Sequence, residues 1–163
     1  MWLLTEQPSG SSVDPPFTEG FLFSDSNIPG ETIKAYLETD YIVVDAASTT
    51  LKIGQTNPHL AALHGTYDTP CSAFLTACNR FSEDCGAEAN AARTAALAAD
   101  LKRRGLVTIE AIGKHPSNGW PGEASFLVPG LSLEAAKAIG TKYGQNAIVW
   151  SAVDAVPRLI LLR

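Results

Sequence analysis

The stretch from Ser72 to Gly105 reads SAFLTACNRFSEDCGAEANAARTAALAADLKRRG, and it decides the fold that we expect. Its first residues, Ser72 to Cys78, are mostly apolar with weak alternation, which is typical of a short buried strand. A polar corner follows, and an alanine-rich segment then runs to the basic group 102–104, with Gly105 just beyond. Basic residues followed by glycine indicate the end of a helix. The stretch therefore predicts a strand, a corner and a long helix in succession.

The start of this helix is predicted at Ser82, whose side chain could cap the first turn. Glu83 and Asp84 would then lie in that turn, where carboxylates complement the positive end of the helix dipole. The same two carboxylates argue against a phosphate bound directly at this helix end.

One stripe of the predicted helix changes character along its length. At about 100° per residue, Asn90, Arg93, Leu97 and Leu101 share a face that begins at Gly86. Because the two leucines must face the sheet, Asn90 and Arg93 are expected to face it too, nearer the corner. A buried guanidinium or amide is costly unless it is hydrogen-bonded. Two alternatives stay open: a polar ligand pocket, or a structural role in which Arg93 pairs with a carboxylate and Asn90 caps a loop carbonyl.

The composition fits one globular domain. The chain has 163 residues, 45% of them hydrophobic and 18% charged, which is enough to bury a core without metal or disulfide. The net charge is −5, and the first 30 residues contain acidic side chains but no lysine or arginine. No basic stripe is present elsewhere, which argues against a nucleic-acid partner.

The cysteines and histidines do not indicate a metal site. Cys71, Cys78 and Cys85 recur every seven residues, and an odd number without a close pair suits neither a disulfide framework nor zinc. The three histidines, His59, His64 and His115, are expected at the surface. We therefore predict no metal, no cofactor and a reduced, cytoplasmic setting.

No membrane partner is predicted either. Trp2 to Leu4 is too short an apolar run for a signal peptide, and no later run approaches transmembrane length. A soluble protein is therefore expected.

Residues 1–26 are predicted to form a loosely ordered acidic arm, and residues 27–163 a single globular α+β domain. The arm contains proline, serine and glycine without sustained periodicity. Phe21 to Phe23 are nevertheless expected to dock onto the domain, because large apolar groups are disfavoured in water.

The remaining periodicities complete the predicted fold. Strands are expected at 41–45, 51–55, 106–112, 126–128, 147–151 and 158–162. Further helices are expected at 29–37, at 57–65 with Asn57 as N-cap, and at 132–144 with Ser132 as N-cap and Gly144 at the C-terminal end. Strands and helices neither alternate strictly nor segregate. We therefore predict an α+β fold with a single mixed, mainly antiparallel sheet of about six or seven strands, with three or four helices packed on it.

A second polar cluster lies in the loop KHPSNGWPGE, residues 114–123. Trp120 could stack on a ligand or plug the end of the core, and Glu123 is close to it in sequence. Gln145 and Asn146, between a predicted helix and strand, could line the same end of the sheet. Asn146 is equally suited to a turn.

The order and spacing of several segments resemble a bacterial family known only as domain of unknown function 3293. These segments are AYLETDY, LKIGQ, SAFLTACN, EANAARTAAL, GWPGEASFLVPGLS, KYGQNAIVW and VPRLILLR, spread over roughly residues 33–163. The resemblance implies a domain but no activity. Its recurring polar positions correspond here to Asn79, Ser82, Asn90, Arg93, Trp120, Glu123, Ser125, Gly144 and Gln145. This sequence departs from the family pattern at Cys78, where an aromatic residue is common, and at Arg80, where proline is usual.

Two functions are consistent with these observations. The first is a small-molecule site for an anionic ligand, which could extend to catalysis. In it Arg80 and Arg93 hold the anion, Trp120 closes over the ligand, and Glu123 is the candidate general base. The orienting residues would be Asn79, Ser82, Asn90 and Gln145.

The first function lacks a nucleophile motif, since the sequence contains no GxSxG, GxxxxGK or HExxH. The second function is a protein-binding or regulatory module. It would use the N-terminal arm or the edge strand 158–162.

Overall fold

The computed structural model describes residues 25–163. The predicted arm, with Phe21 to Phe23, lies almost entirely outside these residues. The four α-helices of the described part are α1 (Gly30–Glu38), α2 (Pro58–Thr66), α3 (Ala87–Arg103) and α4 (Leu133–Lys142). The strands are β1 (Asp40–Val43), β2 (Thr49–Leu51), β3 (Ser72–Thr76), β4 (Ile109–Lys114), β5 (Glu123–Pro129), β6 (Ala147–Ser151) and β7 (Pro157–Leu161).

All seven strands of the described part form one sheet in the order β2-β1-β4-β5-β3-β6-β7. Every pair of neighbouring strands is antiparallel. One sheet with four helices confirms the predicted α+β fold. No parallel pair occurs in this sheet, so it is antiparallel throughout, whereas a mixed and mainly antiparallel sheet was predicted.

The two faces of the sheet are buried by different helices. Because side chains alternate along a strand, Ala73 and Leu75 of β3 point one way and Phe74 the other. Ala73 and Leu75 share a core with Leu97 and Leu101 of α3, as the predicted stripe requires. Phe74 belongs to a second core on the opposite face, which includes Tyr41, Val43, Leu60, Leu127 and Val149.

Helix α3 begins four residues later than predicted, with its N-cap at Gly86 instead of Ser82. Its first residue is Ala87, and Gly86 has φ of +80°. Ser82 instead ends a short 3-10 turn at Arg80–Ser82, in which Phe81 and Ser82 both have positive φ. Its hydroxyl contacts Tyr36 and Asn146 rather than a helix N–H. The chain therefore makes a tight left-handed corner before it can enter the helix.

The other predicted helix caps are confirmed. Asn57 Oδ1 accepts a hydrogen bond from the Leu60 N–H at 3.0 Å, and Ser132 Oγ accepts one from the Ala135 N–H at 3.2 Å. Gly144 follows α4 with φ of +68°. Within residues 25–163, every helix falls short of the length and apolar character that a membrane crossing requires.

The prediction of surface histidines is wrong for His64. Its side chain is buried on α2 against the sheet, and its Nε2 lies 2.8 Å from the Ser72 hydroxyl. Burial lowers the pKa of His64, because a charged imidazole is disfavoured away from water. His64 is therefore a core residue of the interface between α2 and β3.

Candidate functional site

A cavity of about 290 Å³ lies between α1, one face of the sheet and the corner that follows β3. This volume is close to the lower end of the range for small-molecule sites, about 300–1,000 Å³. Its principal lining residues are Glu31, Tyr36, Tyr41, Phe74, Thr76, Asn79, Ser82, Gly113, His115, Trp120, Glu123, Ser125 and Gln145.

Strand alternation places the floor of the cavity. Thr76 of β3 is paired with Ser125 of β5, and Gly113 of β4 is paired with Glu123. These residues lie on the same face of the sheet as Phe74, since each is an even number of positions along its strand from a residue of that face. A Cβ at Gly113 would lie 4.0 Å from both Phe74 Cε1 and Ser125 Oγ. The missing side chain of Gly113 therefore leaves space within the cavity.

The corner is held by two asparagines. Asn79 has φ of +49°, a left-handed conformation that asparagine tolerates better than most residues. Its backbone N–H donates to Asn90 Oδ1 at 2.8 Å, and Asn90 Nδ2 donates to Asn79 Oδ1 at 2.8 Å. The Cys85 N–H also donates to Asn79 Oδ1, at 3.2 Å. Asn90 therefore positions the corner and does not line the cavity.

Glu123 has one fixed oxygen and one without a partner. Its Oε1 accepts hydrogen bonds from Asn79 Nδ2 at 2.7 Å and from Trp120 Nε1 at 3.2 Å. No residue of the range 25–163 donates to its Oε2. Burial raises the pKa of Glu123 above its ordinary value, although the two hydrogen bonds oppose the rise. Such a carboxyl group can bind a ligand or exchange a proton with one.

The hydroxyl groups of the cavity are engaged in a separate network. The Tyr36 and Ser82 hydroxyls are hydrogen-bonded to each other, and Asn146 Nδ2 donates to both, at 3.2 Å and 3.0 Å. The Tyr41 hydroxyl donates to the Tyr36 carbonyl at 2.6 Å. Burial, and then the nearby Tyr36, raise the pKa of Tyr41, so its hydroxyl is neutral at ordinary pH. Asn146 is buried and bonds to this network.

His115 attaches the loop between β4 and β5 to the end of α1. Its Nδ1 accepts hydrogen bonds from the Ser117 and Asn118 N–H groups at 3.1 Å and 3.0 Å. Since both donors need the Nδ1 lone pair, the proton of the neutral ring is on Nε2. Nε2 then donates to Glu38 Oε2 at 3.1 Å. His115 thus fixes the loop that carries Trp120.

The two predicted anion-binding arginines are occupied elsewhere. Arg93 Nε donates to the Ala77 carbonyl at 2.6 Å, and its Nη2 donates to the Tyr143 carbonyl. Arg93 has no carboxylate partner among the described residues, so the alternative of an ion pair is wrong too. The Arg80 side chain packs against Gly144, and its guanidinium lies 4.8 Å from the centre of the Phe81 ring. Neither arginine lines the cavity.

The structure therefore divides the predicted site residues into two groups. The cavity brings together Asn79, Ser82, Trp120, Glu123 and Gln145. Gln145 donates from Nε2 to the Cys78 carbonyl at 3.0 Å, and Trp120 is 38% exposed at the rim, so it is not a plug within the core. The residues outside the lining are Arg80, Asn90 and Arg93.

Sequence reasoning missed four residues of the cavity, the aromatic Tyr36, Tyr41 and Phe74 and the imidazole of His115. The helical periodicity of the first helix does place Tyr36 on its inward face, and Tyr36 could have been predicted as a lining residue from that pattern. Nothing in the sequence indicates that α1 crosses the sheet beside the corner, since this depends on packing between segments far apart in the chain.

Two carboxylates, Glu31 and Glu123, are the acidic groups of the lining, and neither lysine nor arginine is among its residues. In the described part of the chain, no three His, Cys, Asp or Glu side chains are grouped so that they could share a metal ion.

Comparison with known proteins supports the family predicted from the sequence. Residues 75–148 match the model of a family described as "Protein of unknown function (DUF3293)". No curated protein and no solved structure matches the chain. The matched range extends from β3 into β6, so it contains the corner, Trp120, Glu123 and Gln145.

Proposed function

We propose that this chain, of which residues 75–148 match the DUF3293 family model, binds a small molecule in the cavity between α1 and the sheet. One observation carries the proposal: Glu123 presents a carboxyl oxygen that has no partner within residues 25–163 in a partly apolar cavity, while Asn79 and Trp120 hold its other oxygen in place. A carboxyl group is costly to desolvate. A ligand that pairs with Oε2 would offset that cost.

Contacts within the protein hold the walls of the cavity. The β-strands supply its floor, the asparagine pair fixes the corner, and His115 ties the loop to α1. Rigid placement of binding groups reduces the entropy lost on binding, so a preformed site supports useful affinity even at modest size.

The proposal extends to catalysis by Glu123. A carboxyl group with a raised pKa is suited to general acid or base chemistry near neutral pH. Glu123 is the group we propose for that role, with the hydroxyls of Tyr36 and Ser82 as hydrogen-bonding groups of the same cavity. The anionic character of the ligand stays a prediction, because no lysine or arginine among the described residues lines the cavity.

The alternative of a protein-binding module stays open at one place within the described residues. Strand β7 is at the edge of the sheet and pairs only with β6. An edge strand can extend a partner's sheet. This alternative leaves the free oxygen of Glu123 without a role, and we therefore favour the cavity.

A ligand screen with a filled cavity tests the proposal. Gly113→Val places a valine side chain beside Phe74 and Ser125, whereas Ala124→Val places a valine side chain on the opposite, exposed face of β5. A metabolite that binds the cavity should raise the melting temperature of the unmutated protein and of Ala124→Val, but not of Gly113→Val.

Circular dichroism checks that both variants fold. Trp120→Ala, at the exposed rim, provides a second variant that should weaken the same binding without filling the cavity. If every stabilising compound acted equally on all four proteins, the site would lie elsewhere and the proposal would fail.

A further inference from the structure

Resting on the proposed function, we infer that the cavity takes an organic ammonium ligand: a compact molecule with a positively charged nitrogen attached to an apolar or aromatic body. The inference comes from the charges, the ring surfaces and the unpartnered oxygen of the lining, considered together.

The charge of the lining has one sign. Glu31 and Glu123 are its carboxylates, and neither lysine nor arginine is among its residues. The two arginines that were predicted to bind an anion make other contacts. Arg93 donates to two carbonyls, and Arg80 lies over the Phe81 ring. An anionic ligand would therefore meet repulsion without a compensating cation, whereas an ammonium group would meet an attractive potential.

The aromatic residues provide the second part of the site. Tyr36, Tyr41, Phe74 and Trp120 all line the cavity. Tyr41 and Phe74 pack edge to face, with ring centres 5.2 Å apart and planes at 80°. The faces of aromatic rings attract cations, and aromatic sites with carboxylates are suited to ammonium groups. The same rings provide apolar surface for the body of the ligand.

No other group is placed to compete for Glu123. The titratable groups that share the cavity with it are Glu31 and Tyr36 on α1, Tyr41 on β1 and His115 in the β4–β5 loop. The His115 ring is engaged in other contacts, since its Nδ1 accepts two backbone N–H groups and its Nε2 contacts Glu38 Oε2. The unpartnered Oε2 of Glu123 therefore has no cation beside it among the described residues.

Proton release follows from this arrangement. Burial raises the pKa of Glu123, so part of the free protein carries a protonated carboxyl group in the pH range just above the ordinary glutamate pKa. A bound ammonium favours the ionised carboxylate. Binding in that range should therefore release protons, which titration in buffers of different ionisation enthalpy measures directly.

Three probes of the same shape test the ligand class. They are 2-phenylethylammonium, which is cationic, 2-phenylethanol, which is neutral, and 3-phenylpropionate, which is anionic. Binding is followed through the Trp120 indole N–H signal, because Trp120 Nε1 donates to Glu123 Oε1. The chain has three tryptophans, and Trp120→Phe assigns the signal by its loss.

We expect the cation to bind about tenfold more tightly than the alcohol, and the anion to bind most weakly. Glu123→Gln keeps an acceptor for Asn79 and Trp120 but removes the charge. It should reduce cation affinity about tenfold or more while leaving the alcohol nearly unchanged. Glu134→Gln, on the exposed surface of α4, is the control and should change neither.

Equal binding of alcohol and cation, stronger binding of the anion, or binding of none of the three would overturn the ammonium class. The small-molecule site would still be judged separately, by the wider screen with Gly113→Val. The ammonium class can thus fail while the small-molecule site is retained.

Discussion

Asn79 and Asn90 hold each other through two hydrogen bonds, both of 2.8 Å, although they belong to a corner and to a helix eleven residues later. The remaining donor of Asn79, its Nδ2, bonds to Glu123 Oε1 at 2.7 Å. A continuous series of hydrogen bonds thus connects α3 to β5 through Asn90, Asn79 and Glu123. A residue outside the cavity thereby fixes the carboxyl group inside it.

Asn90→Ala should reduce the free energy of unfolding by about 1–3 kcal/mol, because it leaves the buried Asn79 N–H without an acceptor and Asn79 Oδ1 with the Cys85 N–H alone. The Trp120 indole N–H signal should also shift, since Glu123 would lose its fixed position. Urea unfolding and proton–nitrogen correlation spectra measure the two effects. Gln55→Ala, on the exposed surface, serves as the control. A destabilised variant with an unchanged Trp120 signal would contradict the positioning role.

Arg93→Met should destabilise the fold by about 2–3 kcal/mol, because the Ala77 and Tyr143 carbonyls would lose charged donors. Its relative affinities for the three phenyl probes should stay the same, since Arg93 does not line the cavity. Lys34→Met, on the exposed face of α1, is the matched control. A selective loss of 3-phenylpropionate binding in Arg93→Met would instead indicate that the guanidinium contacts the ligand.

Gly144→Ala should cost about 1–2 kcal/mol for two reasons. The residue has φ of +68°, where an L side chain is strained, and a Cβ there would lie only 2.5 Å from Arg80 Cγ. The double variant Arg80→Ala/Gly144→Ala should recover the steric part but not the backbone strain. A thermodynamic cycle on urea unfolding separates the two. Strictly additive losses would mean that Arg80 moves aside freely.

Glu123 should make stability decrease as pH rises. Its pKa is raised in the folded state, so the folded protein binds more protons than the unfolded chain between the two pKa values. The cost is therefore absent below the ordinary glutamate pKa and fully present above the raised one. In Glu123→Gln this part of the slope should disappear. Urea unfolding across about pH 4–8 measures it. A slope identical to that of the unmutated protein would show that burial of Glu123 has no energetic effect.

Asp100 should act in the opposite direction. It is buried near the end of α3, where Lys142, and then Arg103 and Arg104, donate hydrogen bonds that hold its pKa well below the ordinary value. Its contribution is present above the unfolded-state pKa and lost as pH falls through the folded one. Asp100→Asn should therefore destabilise by about 1–3 kcal/mol at neutral pH and by less in acid. Thermal melts at both pH values measure the difference.

Asp68→Asn, on the exposed surface, is the control for the Asp100 variant. An Asp100→Asn variant as stable as this control at neutral pH would contradict the role of Asp100. So would a loss that did not decrease in acid.

The corner after β3 shows where local sequence was misleading. Ser82 followed by Glu83 and Asp84 has the composition of a helix start, and on local preference alone the prediction was reasonable. In the structure Phe81 donates its N–H to the Gly144 carbonyl at 2.8 Å, and the Ser82 hydroxyl contacts Tyr36 and Asn146. These contacts with distant segments hold the corner in left-handed conformations. The helix starts only at Ala87 as a result.

Local patterns were sufficient for most elements and for the inward direction of the α3 stripe. Leu97 and Leu101 face the sheet because helical periodicity fixes the face of each residue, and Asn90 and Arg93 point the same way for the same reason. Helical periodicity does not predict the hydrogen-bond partners of these two side chains. Arg93 found two carbonyls and Asn90 found Asn79, since the partners come from segments that only the folded chain brings together.

The sequence by itself determined an α+β chain with one sheet, most of its helix boundaries, and five of the residues that meet in the cavity. Only the tertiary structure decided that α1 covers the sheet at the corner, that aromatic rings from three elements line the space, and that the arginines remain outside it. Periodicity depends on neighbours along the chain, so sequence patterns can reveal it. A cavity and its charge depend on distances between segments that are distant in sequence, and only packing sets those distances.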